Sequence, residues 1–337
     1  MGRIGFCCKL VEPHPKKLFE NVEGFNTGAT TVAWLNRQSR EVAEQKLWDL
    51  MVGNLSAVYK LIERVCSYAE NLRMVRLGSD ILPMYTEPSW GYFWRRPDVL
   101  GYLELHFSSI GRLARSRNVR LSFHPGQFTV LASVNPDIVN RSIEEFEYHA
   151  DMARWMGYGK SFQDFKINVH ISGGLGPAGI RTAYKRLSLE ARNCITIENE
   201  EFKHGLKTCL ELADLLPIVL DVHHHWINTG EYIQPDDDLA KRVIDSWRDV
   251  RPAMHYSISR EDILVNHARD ILPSMANLLA LGHKKQKLRA HSDFYWNDAA
   301  NAWVGEFSQA FDIQCESKCK NLASQAFSNS IKEIELV

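Results

Sequence analysis

The sequence predicts an α/β fold, a single-domain TIM (β/α)8 barrel, on two observations. Eight short apolar segments of strand length alternate with amphipathic segments of helix length, and six of those strands run out into histidines and carboxylates. Length agrees, since 337 residues, 45% hydrophobic and 24% charged, suffice for one large core. No internal repeat, low-complexity tract or Pro/Gly/Ser-rich linker divides the chain. One domain over residues 1–337 is therefore expected, with its core at about 3–322 and a C-terminal tail at 323–337.

In chain order the strands are expected at residues 3–8, 74–77, 119–123, 165–170, 194–198, 217–221, 253–257 and 311–316. Each is a near-continuous apolar run, as a strand covered by helices requires. Helical stretches at 41–70, 100–117, 136–156, 177–191, 206–215 and 236–250 carry apolar residues at helical spacing. Residues 259–289 are too many for a simple connection and include Asn266, His267 and the basic run His283-Lys284-Lys285-Gln286-Lys287. They are expected to form an elaborated loop after the seventh strand.

Charge excludes a global basic field: 40 Lys and Arg against 41 Asp and Glu give −1, so any nucleic-acid groove must be a local patch. Residues 1–10, broken by Arg3 and Lys9, do not read as a signal peptide, and no apolar run of about 18 residues suggests a membrane span. A cytoplasmic protein is expected. Seven cysteines without a CxxC pair suggest reduced, mostly buried thiols.

A TIM barrel builds its active site at the C-terminal strand ends. Here the third strand ends in His124-Pro125-Gly126-Gln127, the fourth in His170 and the fifth in Glu198-Asn199-Glu200. The sixth ends in Asp221-Val222-His223-His224-His225, the seventh in His255 and the eighth in Glu316. A lone histidine at a strand end is more often a hydrogen-bonded core residue. Several imidazoles and carboxylates in one mouth are different, because without a cation the buried carboxylates repel at a cost of several kcal/mol each. Such donors suit Zn, Mn or Fe(II). His14, His106, His149, His204 and His283 fall in loops or helices and are expected to be solvated or packing residues; His267 stays open.

Five segments carry a resemblance that spans residues 3 to about 322: Arg76-Leu77-Gly78-Ser79-Asp80-Ile81-Leu82-Pro83, His124-Pro125-Gly126-Gln127, Asp221-Val222-His223-His224-His225, His291-Ser292-Asp293 and Asp312-Ile313-Gln314-Cys315-Glu316-Ser317-Lys318. Together they resemble the UV damage endonuclease family. The resemblance implies metal ligands at His124, His170, Glu198, Asp221, His224, His255, His291 and Glu316, with Glu87 standing where the family has a histidine. For the sixth strand simple alternation would select His223, whereas the family spacing selects His224. Up to three divalent ions are implied, Mn2+ first, with Zn2+ or Mg2+ as substitutes; Glu87 in place of an imidazole favours Mn2+ over Zn2+.

The implied reaction is hydrolysis of the phosphodiester 5′ to a lesion in double-stranded DNA, leaving a 3′ hydroxyl, with Glu198, Glu316 and His255 catalytic and the chain acting as a monomer. Gln127 and Phe128 would probe the duplex, and Phe6, Arg95 and Arg96 are further expected DNA contacts. Arg37 and Arg40 are weaker candidates, and Trp90 and Trp94 could stack on bases or simply pack their loop. The chain departs from the family at Ala253, a family lysine, at Phe6 and Phe128, family tyrosines, and at Leu10, a family asparagine. Two rival readings remain. One is a xylose-isomerase-like sugar isomerase or epimerase, which would act on ketoses; the other is a damage-binding protein without cleavage, which would hold lesion DNA but not nick it.

Overall fold

The computed structural model describes residues 1–335. Among these, eight parallel strands close a barrel: β1 (Ile4–Cys7), β4 (Met74–Arg76), β5 (Arg120–Phe123), β6 (Lys166–His170), β7 (Ile195–Glu198), β8 (Ile218–Asp221), β9 (Ala253–Tyr256) and β10 (Asp312–Cys315), with β10 pairing back onto β1. All eight lie within the expected runs, trimmed by a residue or two at the ends. A hairpin of β2 (Val11–His14) and β3 (Lys17–Asn21) was not expected. It is short, mostly exposed and contains Pro13, a residue that argues against a strand unless the strand lies at an edge.

Outward side chains of the strands enter one core with the surrounding helices. The helix Arg40–Cys66 shows why these segments fold as they do. Ser39 caps it by accepting from the Val42 amide, and Ala43, Leu47, Met51, Leu55, Val58, Ile62 and Val65 form a buried stripe. Asn54 in that stripe bonds to both the amide and carbonyl of Gly28 and to the carbonyl of Ile81, while Tyr148 accepts from the Leu82 amide and donates to the Ser79 carbonyl. The 76–83 motif is thus a clamped corner beside the barrel mouth.

The barrel interior is layered. At its N-terminal end Asp312 accepts from Arg3, Arg120 and Arg251. Met74, Val219 and Ala253 cluster with Trp247. Gly5 leaves room for this filling, because a Cβ there would lie 2.6 Å from Met74 Cγ. Phe6 points the other way, into the core at 2% exposure. Strand alternation removes it from any DNA contact, which corrects that expectation. Leu10 is equally buried.

Two expectations about the chain's ends and loops are refined. The segment expected as a tail is instead the closing helix Lys320–Glu335, which buries Ala323, Phe327 and Ile331 and packs against β1. Asn321 fixes its start through the backbone of Val11. The long loop after β9 contains helices Met275–Ala280 and Lys285–Leu288 and packs Leu264, Met275, Leu278 and Leu288 against Trp226 and Ile227. A bridge from Ser259 to His291 ties its return to the barrel. The cysteines are free thiols, with Cys7, Cys194, Cys209, Cys315 and Cys319 buried.

His149 proves to be a packing residue with a measurable consequence. Its Nδ1–H donates to the Glu145 carbonyl at 2.7 Å, its ring lies against Phe123 and Tyr148, and Nε2 has no hydrogen bond among the described residues. Burial pushes its pKa down to about 4. Between the unfolded value near 6.5 and this folded value, the unfolded chain binds the extra proton, so stability falls as pH drops through that window. We expect this one group to remove about 2 kcal/mol between pH 7 and pH 5. Urea titrations of wild type and His149→Gln at both pH values check it: equal losses in the two proteins would contradict the assignment.

Candidate metal centre

Six strand ends deliver His124, His170, Glu198, Asp221, His255 and Glu316 to one mouth, with Glu198 at its centre and fully buried. Glu198 Oε2 stands 3.1 Å from His124 Nε2 and 3.9 Å from His170 Nδ1, and Oε1 stands 3.0 Å from His255 Nδ1. Asn168 also donates to Oε2 and is itself held by Thr196 Oγ1 at 2.8 Å. Among the described residues, three sets of donors could hold an ion: His124, His170 and Glu198; His124, His255 and Glu316; Glu198, Asp221 and His224. Within each set the donor atoms lie within 4.8 Å of one another. His124 and Glu198 each belong to two sets, so the three positions share ligands.

Local structure explains why His224, and not His223, enters. Asp221 ends β8 and at once caps the helix Val222–Thr229, accepting from the His224 amide at 2.7 Å. The helical turn lays residue i+3 back over its cap, so strand alternation no longer applies. His223 instead meets the Leu288 carbonyl at 3.2 Å and stacks on Trp226.

Three imidazoles are held as metal-binding histidines usually are. Nδ1 of His124 donates to the Pro125 carbonyl, that of His224 to the Asn199 carbonyl and that of His291 to the Glu316 carbonyl, at 3.0, 2.9 and 2.7 Å. A carbonyl only accepts, so Nδ1 carries the proton and Nε2 is the nitrogen left to ligate. Burial pushes His170 and His255 down to about 4, which leaves both neutral at pH 7. Burial also opposes charge on His224, but Asp221, Glu198 and Glu201 outweigh it and lift His224 to about 9. Burial holds Asp221 well above the usual carboxylate range. Glu198 Oε1, Asp221 Oδ2 and His255 Nδ1 are buried without a hydrogen bond among the described residues. Lewis-basic atoms 3.0 Å apart with no proton between them are what one shared cation requires, so the donor set fits divalent ions.

Sequence reasoning missed two residues beside this centre. Lys166 is fully buried with Nζ 2.9 Å from His255 Nε2, and burial pushes it down to about 7. Ala253 lies in the apolar layer, so the amine next to His255 comes from β6 instead of β9. Residues 166, 168 and 170 share one face of β6, so alternation could have found both Lys166 and Asn168. Arg76, buried, pairs with Glu316.

Not every expected residue gathers there. Glu87 belongs to none of the three donor sets; its Oε2 accepts from the Trp90 amide at 2.8 Å, so the carboxylate is used within its own turn. His291 stands at the rim, brought by the long loop. Arg96 is paired with Glu44 and Asp98, Arg40 with Glu44, and Arg95 donates to the Gly91 carbonyl. Trp90 and Trp94 are buried and bond to Asn36 and the Pro83 carbonyl, as loop packing predicts. His267 stays outside, against Trp296. Above the centre a cavity of about 360 Å³ is lined by Gln127, His170, Glu201, His224, Arg289 and Glu316. Phe128, 85% exposed, projects beside it.

Comparison with known proteins agrees with this architecture. The crystal structure of SacUVDE superposes with a TM-score of 0.73 at 22% identity, covering 100% of both chains. Endonuclease IV from Thermus thermophilus gives 0.52 at 13% identity over 82% of this chain and 94% of that one. Both likenesses show the fold. The UV DNA damage endonuclease of Bacillus cereus (strain Q1) is 25% identical over 316 residues, 90% of this chain and 89% of that protein. That of Bacillus anthracis (strain A0248) is 26% identical over 325 residues, covering 91% and 90%. The profile of the family UV-endonuclease UvdE matches residues 2–337, and the chain therefore belongs to that family.

Proposed function

We propose that the chain is a metal-dependent DNA repair endonuclease that hydrolyses the phosphodiester 5′ to UV-damaged or otherwise distorted bases. The observation that supports it best is the convergence of three donor sets on Glu198 and His124 at the floor of an open cavity. Bound divalent ions, up to three and Mn2+ first, would supply Lewis-acid chemistry, activating water and neutralising the leaving oxygen. His124, His170, Glu198, Asp221, His224, His255 and Glu316 hold them, with His291 approaching from the rim.

Glu198, Asp221 and Glu316 bring three negative charges. Three divalent ions bring six positive ones, and the surplus attracts the phosphate. Arg76 neutralises Glu316 whenever no cation does. His255 is fixed from behind by Lys166 and presents Nδ1 to Glu198 and Glu316, at 3.0 and 3.3 Å. Gln127 and Phe128, exposed at the rim, meet the duplex at the lesion, where the aromatic ring fills space left by displaced bases. The partner is damaged double-stranded DNA. No helix among the described residues is long and apolar enough to cross a membrane.

A duplex with one defined lesion, incubated with Mn2+, Mg2+ or Zn2+, tests the reading. We expect a single nick 5′ to the lesion with a 3′ hydroxyl, strongest with Mn2+ and absent with a chelator. Tight binding to the lesion without a nick in any metal would replace the nuclease with a damage-binding protein.

A further inference from the structure

The loop after β7 carries a carboxylate, Glu201, that the strand-end pattern does not include. Glu201 Oε1 stands 3.6 Å from His224 Nε2 and 3.8 Å from Arg289 Nη1, and its side chain is only 18% exposed. It lines the cavity over the metal centre together with His224 and Arg289. The Asn199 carbonyl occupies His224 Nδ1, so Nε2 is the nitrogen turned toward Glu201.

The 3.6 Å gap is too long for a hydrogen bond. It suits two donors on one ion: bonds of about 2.1 Å at an angle near 110–120° put them about 3.4–3.6 Å apart. The Arg289 contact at 3.8 Å is a loose ion pair on a half-exposed guanidinium, the kind that contributes little and is easily exchanged.

We propose that Glu201 is a further ligand of the ion held by Asp221 and His224, supplied by a loop instead of a barrel strand, and that Arg289 competes with the ion for it. The inference rests on the metal-dependent reading above. Loading then draws Glu201 away from Arg289. The guanidinium is left at the cavity wall as a free cation beside the place where a phosphate would enter.

The test is metal binding, read without turnover. Mn2+ content after equilibrium dialysis, affinity by competition with a chromophoric chelator, and the Co2+ visible absorption band are compared for wild type, Glu201→Gln, Glu201→Ala and Arg289→Gln. Both Glu201 variants should keep the wild-type circular dichroism, lose about tenfold or more in affinity for one ion, and alter the Co2+ band. Arg289→Gln should bind that ion as tightly as wild type or more tightly. Unchanged affinity and spectrum in the Glu201 variants would overturn the proposal while leaving the nuclease reading intact. Equal weakening by Arg289→Gln would also overturn it, by showing that the pair is merely structural. A wild-type protein that takes up no ion would instead bring down the metal-dependent reading itself.

Discussion

Glu198→Gln loses strand cleavage by more than about a hundredfold, exceeding the 10–100-fold typical of residues that only orient a ligand, yet remains folded. Glutamine keeps the shape of the side chain but not its charge, and this carboxylate belongs to two of the three donor sets. Wherever the new amide group points, its N–H would face His124 Nε2 or His255 Nδ1, now 3.1 and 3.0 Å away, and occupy a lone pair needed by a cation. Stability without metal should hold or rise, since removing a desolvated charge that lacks its ion relieves a cost. The discriminating measurement is the thermal shift on adding Mn2+. Wild type gains stability as RT ln(1 + [Mn2+]/Kd), and the variant loses most of that gain along with nicking. A variant with full activity and a normal shift would show that the centre lies elsewhere.

The legible part of this protein is the part with a fixed register. The barrel strands were readable because a strand buried by helices on one side and a packed interior on the other is a short apolar run. Their ends then pointed to His124, His170, Glu198, Asp221, His255 and Glu316 as a group. The same alternation, applied more strictly, excludes Phe6 and includes Lys166 and Asn168, so these were matters of reading. His224 was different. Alternation favoured His223, and only the family spacing compensated for the helix that Asp221 caps within the motif. Glu87, Glu201 and Arg289 sit in loops or at a short helix end, where no period relates sequence position to direction. There the carboxylate of Glu87 satisfies its own turn, while Glu201, equally unmarked in sequence, faces the cavity.

The largest effect on stability is expected from Asp312→Asn. Asp312 opens the strand that runs out into Glu316, on the same face but four residues earlier, so about 13 Å of strand separates the metal centre from the opposite end of the barrel. Its fully buried carboxylate receives Arg3 Nη1 at 3.2 Å, Arg120 Nη1 at 2.8 Å and Arg251 Nε at 3.0 Å, together with the Arg3 backbone amide at 2.7 Å. These contacts join the start of β1, the start of β5, the approach to β9 and the start of β10, which is how one side chain closes the base of the barrel. Burial opposes its charge, but the Arg120 and Arg3 contacts hold its pKa below the ordinary aspartate value. Asparagine preserves the volume and one acceptor, yet leaves three guanidinium groups crowded together without their shared anion. Removing one partner of a buried pair costs about 3–5 kcal/mol. We expect at least about 3 kcal/mol here, less at high salt, because the arginines are partly exposed and their repulsion is screened. Urea unfolding at low and high ionic strength measures both terms. Cleavage per folded molecule at saturating Mn2+ should stay at the wild-type rate, the reverse of the Glu198→Gln result, since nothing at this end touches the ions. A loss below about 1 kcal/mol, the range of a surface ion pair, would mean that the three arginines find water or one another's carbonyl partners without Asp312 and that the hub is dispensable.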